Sequence, residues 1–383
     1  MFITRLKLKN WRNFRDADLR FSEYSYVLGA NASGKSNLLD VFKFLRDISN
    51  PQGGGLQKAI SDRGGLKKLR CLHARRDPEV RIEVHLSTDF DSPVPEWQYK
   101  LAFKSEGKGA QRTLISEEEV IDKETSLFLR PDSQDKKDLV RLTQTNLEQI
   151  QTNADFREVP NFFSEITYLH LVPQFLKFGD NIGGQLLDGD PFGQGFLKSL
   201  ANTTERIRSS RLKKIERALK FAVPQFEELQ YVKDQVGRPH LQARYAHHRP
   251  NAGWQKEDQF SDGTLRLLGM LWSLLQNNSL LLLEEPELSL NNGIIEHIPA
   301  MMQRVQRESK RRRQVIVTTH SEALLSNKGI DTRGIILLEP TQDGTKARHL
   351  NRPELDAVDA GLSVAEVALP KTKPEQATQL AFW

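Results

Sequence analysis

The chain has 383 residues, 38% hydrophobic and 27% charged, with 55 lysines and arginines against 50 aspartates and glutamates, a formal net charge of +5. This is the composition of a soluble globular protein with one large core or two to three ordinary domains. No run of about 18 apolar residues is present to cross a membrane, and the one cysteine, Cys71, excludes an internal disulfide framework or a cysteine zinc site, so a cytoplasmic location is expected.

The opening interleaves Arg5, Lys7 and Lys9 with Leu6 and Leu8, strand alternation rather than a signal-peptide core. Strands are expected over 3–8 and 17–21, and a third, β-rich, over 24–28. Next comes Gly29-Ala30-Asn31-Ala32-Ser33-Gly34-Lys35-Ser36, a complete Gly-x-x-x-x-Gly-Lys-Ser pattern, and from Asn37 to 45 the apolar spacing is helical. Such a loop turns backbone N–H groups toward nucleotide phosphates, its lysine neutralises phosphate charge, and its serine hydroxyl holds Mg²⁺. Residues 51–79 are Gly-rich and basic, which predicts loops near a nucleotide. Segments 80–86 and 97–103 predict a β-hairpin, and the polar stretch 104–160 a peripheral lid or insertion.

A strand returns at 166–172. Residues 195–222 predict a basic helix carrying Arg206, Arg208, Arg211, Lys213 and Lys214, and 227–233 with 240–245 a hairpin. Phe260-Ser261-Asp262-Gly263 opens an apolar helix over 264–275, where a serine and a glycine present a hydroxyl and N–H groups to an anion. Four leucines, 280–283, then predict a buried strand ending in Glu284 and Glu285. A helix over 292–307, a strand over 315–319 delivering His320, and a strand over 334–338 follow, with a polar tail closing on Phe382 and Trp383. Near-continuous apolar strands separated by helices predict a parallel sheet covered on both faces, and ligand sites lie at the carboxyl ends of such strands. There, one carboxylate suits hydrated Mg²⁺ and the next suits polarisation of an attacking water.

The order of phosphate loop, serine-bearing helix start, acidic strand end and histidine resembles the ATP-binding-cassette ATPases. "GANASGKSN" at 29–37, "SDGTLRLL" at 261–268 and "ITRLKLKNWRNFRDADLRF" at 3–21 are similar to the SMC/RecF-like branch. More narrowly, they look like stand-alone prokaryotic AAA ATPases related to the overcoming-lysogenization-defect (OLD) proteins. The resemblance implies an α/β fold: an ABC-type P-loop NTPase head with a mostly parallel sheet flanked by helices, an N-terminal antiparallel β subdomain and a short helical lobe. The head would occupy 1–103 and 255–340, with the insertion at 104–160, a glutamine-bearing strand region at 161–180, the lobe and hairpin at 181–254 and a tail at 341–383.

ATP and Mg²⁺ are the implied ligands. Residues 29–37 would hold phosphate, with Lys35 also catalytic. Ser36, Glu284 (where most relatives have Asp) and Gln174 would hold the metal. Glu285 would be the base, His320 the γ-phosphate sensor, and Arg12 a phosphate-proximal cation. Ser261 and Gly263 would reach the nucleotide of a second copy, implying a homodimer or higher even oligomer. After His320, Glu339, Asp343, Glu354, Asp356 and Asp359 lack the arrangement of a TOPRIM nuclease, and no heptad arms are present. The expected function is therefore an ATPase controlling a separate nuclease or toxin in prokaryotic defence against phage or plasmids. A RecF-like role in DNA repair is the alternative, and a transporter ATPase is disfavoured. Basic stretches at 67–76, 206–214 and 310–313 suit DNA or effector contacts.

Overall fold

The structure is a computed structural model that describes residues 1–74, 77–107, 112–179, 187, 189–247, 253–276, 279–308 and 312–372. In chain order the strands are β1 (Phe2–Trp11), β2 (Phe14–Arg20), β3 (Tyr24–Gly29), β4 (Val80–Ser87), β5 (Trp97–Ser105), β6 (Thr113–Asp122), β7 (Thr125–Arg130), β8 (Thr167–Leu169), β9 (Phe226–Lys233), β10 (Pro239–Tyr245), β11 (Trp254–Lys256), β12 (Leu280–Glu284), β13 (Gln314–Thr319), β14 (Ile335–Thr341) and β15 (Gly344–Arg348). The helices are α1 (Lys35–Ser49), α2 (Leu56–Asp62), α3 (Leu66–Leu69), α4 (Glu158–Ser164), α5 (Pro173–Phe178), α6 (Phe196–Asn202), α7 (Glu205–Ala222), α8 (Asp262–Leu274), α9 (Asn292–Ile295), α10 (Ile298–Arg307), α11 (Glu322–Leu325), α12 (Arg352–Asp359) and α13 (Val364–Ala368). They form two units, one from Met1–Ile166, Gln314–His320 and the stretch from Asp331 onward, the other from Thr167–Arg313 and Ser321–Ile330.

In the first unit an antiparallel sheet runs β2-β1-β4-β5-β6-β7. The expected hairpin is there as β4 and β5, Val80 opposite Phe103 and Leu86 opposite Trp97. Residues 104–160 hold more regular structure than their polarity suggested, because this part of the core is ionic. Glu118 of β6 and Arg130 of β7 are buried, with Arg130 Nη1 3.1 Å from Glu118 and Nε 2.9 Å from Asp135. Burial pushes the Glu118 carboxyl up to about 7, against the pull of the Asn146 N–H, Arg130 and Tyr99. The alternation of β6 is broken where charged Glu118 takes an inward place beside Ile115 and Val120, and in β7 Arg130 is the buried residue.

The same unit carries parallel strands β14, β3 and β13, with β3 central and β15 antiparallel on β14. In β3 every residue after Tyr24 is buried, the continuous apolar run of a strand covered on both faces. Helix α1 buries Leu38, Leu39, Phe42 and Leu45 and packs on α4. The Gly-rich region 51–79, expected as loop, contains α2 and α3, each entered through a glycine of positive φ, Gly55 and Gly65.

In the second unit β8 and β12 pair in parallel, and β11-β10-β9 make a separate antiparallel sheet. Two expected helices are each divided. The 195–222 helix breaks at Thr203 and Thr204 into α6 and α7, and the 292–307 helix breaks at Glu296 and His297 into α9 and α10. Arg313 is fully enclosed and donates to the backbone carbonyls of Ser273 and Leu280, tying the ends of α8 and β12. Beyond 341, expected as tail, stand β15, α12 and α13, the helices opened by reciprocal caps Asn351/Glu354 and Ser363/Glu366. Arg75, Arg76, Lys310, Arg311, Phe382 and Trp383 lie outside the described residues.

Candidate functional site

The phosphate loop leaves the buried end of β3 in the first unit. A Cβ on Gly29 would stand 2.2 Å from Ser33 Oγ, so the loop can close only over glycine. Ala32 has φ 62° and Gly34 φ 100°, and Gly34 caps α1 in the left-handed conformation. Asn31 and Ala32 stand exposed on the crest. Lys35 Nζ reaches back to the carbonyls of Gly29 (2.8 Å) and Ala30 (3.2 Å), holding the ammonium inside the loop. The N-terminal, positive dipole end of α1, a helix of 15 residues, faces the same space. Together these groups make a cradle for a phosphate chain. Ser36 is exposed on the first turn of α1.

The loop is held from below by the β1–β2 turn. Trp11 and Phe14 pair across it, and Asn10 and Arg12 both have positive φ. Trp11 Nε1 donates to the Asn37 carbonyl at 2.9 Å. Asn13 Nδ2 donates to the Ser33 carbonyl (3.0 Å) and to Thr345 Oγ1 (2.6 Å), while Asn37 Nδ2 donates to Asn13 Oδ1 (2.8 Å). Thr345 Oγ1 in turn donates to the Ser33 carbonyl at 2.8 Å. A Cβ on Gly34 would lie 2.1 Å from Asn13 Nδ2. Trp11, Asn13 and Thr345 brace the loop and were missed by the sequence reading; "NWRN" at a hairpin turn was the available signal for two of them.

Arg12 is spent on α1 itself: its Nη2 lies 2.9 Å from Asp40, which Arg63 also grips at 3.0 Å. Burial opposes ionisation of Asp40, but Arg63 and Arg12 overcome it and hold the carboxyl below its ordinary range. His320 is brought to the loop. β13 pairs with β3 so that Thr319 stands opposite Leu28, and the exposed His320 follows directly, at the strand end from which the loop springs.

The second unit gathers the other candidates. Leu283 of β12 pairs with Leu169 of β8, so Glu284, Glu285 and the segment leading to Gln174 leave from the same end of two parallel strands. Tyr168, also missed, donates its hydroxyl to Glu284. Glu285 has φ 47°, a left-handed backbone just before Pro286 and a strain of about 1 kcal/mol or more, of the kind that collects at working sites. Ser261 is the N-cap of α8: its hydroxyl accepts from the Thr264 N–H at 3.2 Å and pairs with Thr264 Oγ1 at 2.8 Å. Gln174 donates to Asp262 at 3.4 Å, and Lys177 reaches the same carboxylate at 2.8 Å. A Cβ on Gly263 would come 2.9 Å from the Ser289 carbonyl, so the start of α8 and the 288–291 loop abut through glycine.

A family profile described as "AAA domain, putative AbiEii toxin, Type IV TA system" matches residues 26–326. The chain is 28% identical over 88 residues to the DNA replication and repair protein RecF of Bacillus cytotoxicus, and 30% identical over 92 residues to that of Roseiflexus castenholzii. These matches span 23% and 22% of this chain and 24% and 23% of the relatives, so the chain corresponds to about a quarter of each RecF protein. Among solved structures, an SMC head bound to the C-winged helix domain of ScpA covers 93% of the chain and all of its own length, with a TM-score of 0.57 at 14% identity. The SMC head domain of Thermotoga maritima covers 92% of the chain and 100% of its own, with a TM-score of 0.50 at 15% identity.

Proposed function

We propose, from the premise that the chain belongs to the AAA-domain family matching residues 26–326, that it binds and hydrolyses ATP and is clasped into a dimer by it. Its fold is that of an ABC-type P-loop NTPase head of the SMC/RecF kind. The observation that carries the reading is the phosphate loop, with Gly34 left-handed, Lys35 folded over the loop carbonyls and His320 leaving the neighbouring strand end.

In this reading residues 29–37 hold the triphosphate, Lys35 neutralises it and His320 senses its γ-phosphate. Ser36 and Glu284 offer a hydroxyl and a carboxylate, the hard oxygen donors that Mg²⁺ prefers, and the ion would supply charge neutralisation between phosphates. Gln174 is the third residue assigned to the metal in this reading. Glu285 takes the proton of the attacking water. Arg12 acts through Asp40, steadying the helix that carries Lys35 and Ser36. Ser261 and Gly263 complete the pocket of a second copy, so the γ-phosphate is bound from both sides and its loss releases the pair. The dimer acts on a separate effector, a nuclease or toxin, in prokaryotic defence; the toxin–antitoxin reference in the family description supports that setting. A second reading, ATP-driven binding of DNA in repair, draws on the likeness to RecF.

Replacing Glu285 by Gln should leave ATP binding intact and trap an ATP-dependent dimer in sedimentation velocity, whereas Ser261→Arg should abolish it. A Glu285→Gln chain that stays monomeric in saturating ATP and Mg²⁺ would overturn the clasp.

A further inference from the structure

In the second unit, α7 and the α9–α10 pair enclose an open trough of about 520 Å³, within the size range of binding pockets. Its floor is apolar: Ala218 and Phe221 from α7, Ile294 from α9, Met301 and Val305 from α10. Phe221 is 81% exposed, a large aromatic side chain held in water on the lining of the trough. The rim is basic, with Lys214, Arg217, Lys220 and Arg304 against the carboxylates of Glu308 and of Glu216, which Lys220 reaches at 2.7 Å. Glu308 is already engaged, by Arg217 at 3.1 Å and, through its carbonyl, by Lys214 at 2.7 Å. Arg304 has no carboxylate partner among the described residues. Along α7, Lys214, Arg217, Ala218 and Phe221 recur at i, i+3, i+4 and i+7, a single helix face that meets Glu308 at its basic end and leaves Phe221 exposed.

We infer that this trough is a docking groove for an amphipathic helix of a partner protein, one whose apolar stripe is flanked by aspartates and glutamates. The shape is that of two helix ridges waiting for a third, and apolar anchors at i, i+3/i+4 and i+7 would fill the floor. The charge of the rim selects the flanks, since four cations stand there against two carboxylates, a net positive rim that draws an acidic helix and repels a basic one. A second copy docking by the same face would set those cations against their own duplicates. Nucleic acid would lay phosphates on Phe221 and Met301 and gain nothing from the floor. The groove also touches the machinery: its residues Gly293 and Ile294 directly follow the 288–291 loop that abuts Gly263. An occupant would therefore bear on the loop beside the serine-bearing helix start.

The inference deepens the effector-switch reading, but its test needs no nucleotide, so failure here leaves ATP-driven dimerisation standing, and the converse holds. A phage-displayed library of helical peptides, with a fixed apolar stripe and randomised flanks, is selected on the full chain and counter-selected on Phe221→Asp and, separately, Met301→Asp. Both variants are checked by circular dichroism and thermal unfolding. Expected are peptides rich in Asp and Glu flanks, whose affinity falls about tenfold or more in each folded variant and weakens as salt rises from about 50 to about 300 mM. A selected pool without acidic bias, or binders indifferent to both variants, overturns the proposal. So does a nucleotide-free dimer that Phe221→Asp dissolves, which would make the occupant a second copy, or duplex DNA binding that Phe221→Asp abolishes.

Discussion

At the scale of single residues, the phosphate loop is held by bonds that its own pattern does not contain. Asn13 bonds the Ser33 carbonyl, Thr345 and Asn37 at once, and it fills the space that a side chain on Gly34 would need. Replacing Asn13 by Ala should leave the fold intact and weaken ATP binding about tenfold, because the loop must then be ordered by the nucleotide itself. A fluorescent ATP analogue titrated against both proteins measures this, and an unchanged dissociation constant would remove Asn13 from the site. Gly29, Gly34, Lys35 and Ser36 were legible in the sequence because phosphate chemistry demands those residue types at that spacing. Asn13 was not, since any of several polar residues suits a hairpin turn and only the fold brings it under residue 33. Tyr168 escaped for the same reason: a tyrosine in a strand reads as core until the strand is known to lie beside Glu284.

At the scale of elements, the start of α8 carries two duties that can be separated. Ser261 caps the helix through the Thr264 N–H, and in the proposed dimer its hydroxyl also meets the γ-phosphate of a second copy. Loss of the cap in Ser261→Ala should cost about 1 kcal/mol in urea unfolding, while Ser261→Gly should cost only a few tenths. If the hydroxyl serves the dimer, both variants should lose ATP-dependent association to the same degree despite their unequal stabilities. An association deficit that tracks stability would reduce Ser261 to a cap. Elements announced by continuous apolar runs, β3, β12 and β13, lie where the sequence put them, as does α1 with its buried face. Strands with a charged residue in the interior did not declare themselves: β6 buries Glu118 between Ile115 and Val120, and β7 buries Arg130. The caps at Asn351/Glu354 and Ser363/Glu366 were readable signatures of α12 and α13 that the polarity of the segment concealed.

At the scale of the molecule, a net charge of +5 gives some affinity for any polyanion, so DNA binding alone would decide nothing between the two readings. The effector reading predicts that duplex affinity, measured by fluorescence anisotropy across a salt series, is the same with and without ATP. An affinity raised severalfold by ATP and Mg²⁺ would favour the repair reading. The fold class was legible because the order of motifs along the chain prescribes it; the division of the chain into two interleaved units was not, because Gln314–His320 leaves one stretch of sequence to complete another. The Thr345 strut has a consequence for biosynthesis. Its partners, Asn13 and Ser33, precede it by 332 and 312 positions. A ribosome has therefore translated nearly all of the described chain before the loop acquires its last support. On the proposed mechanism, the nascent polypeptide would bind cellular ATP weakly through that interval, and ATP-driven pairing would begin only once β15 has emerged and folded onto its strand.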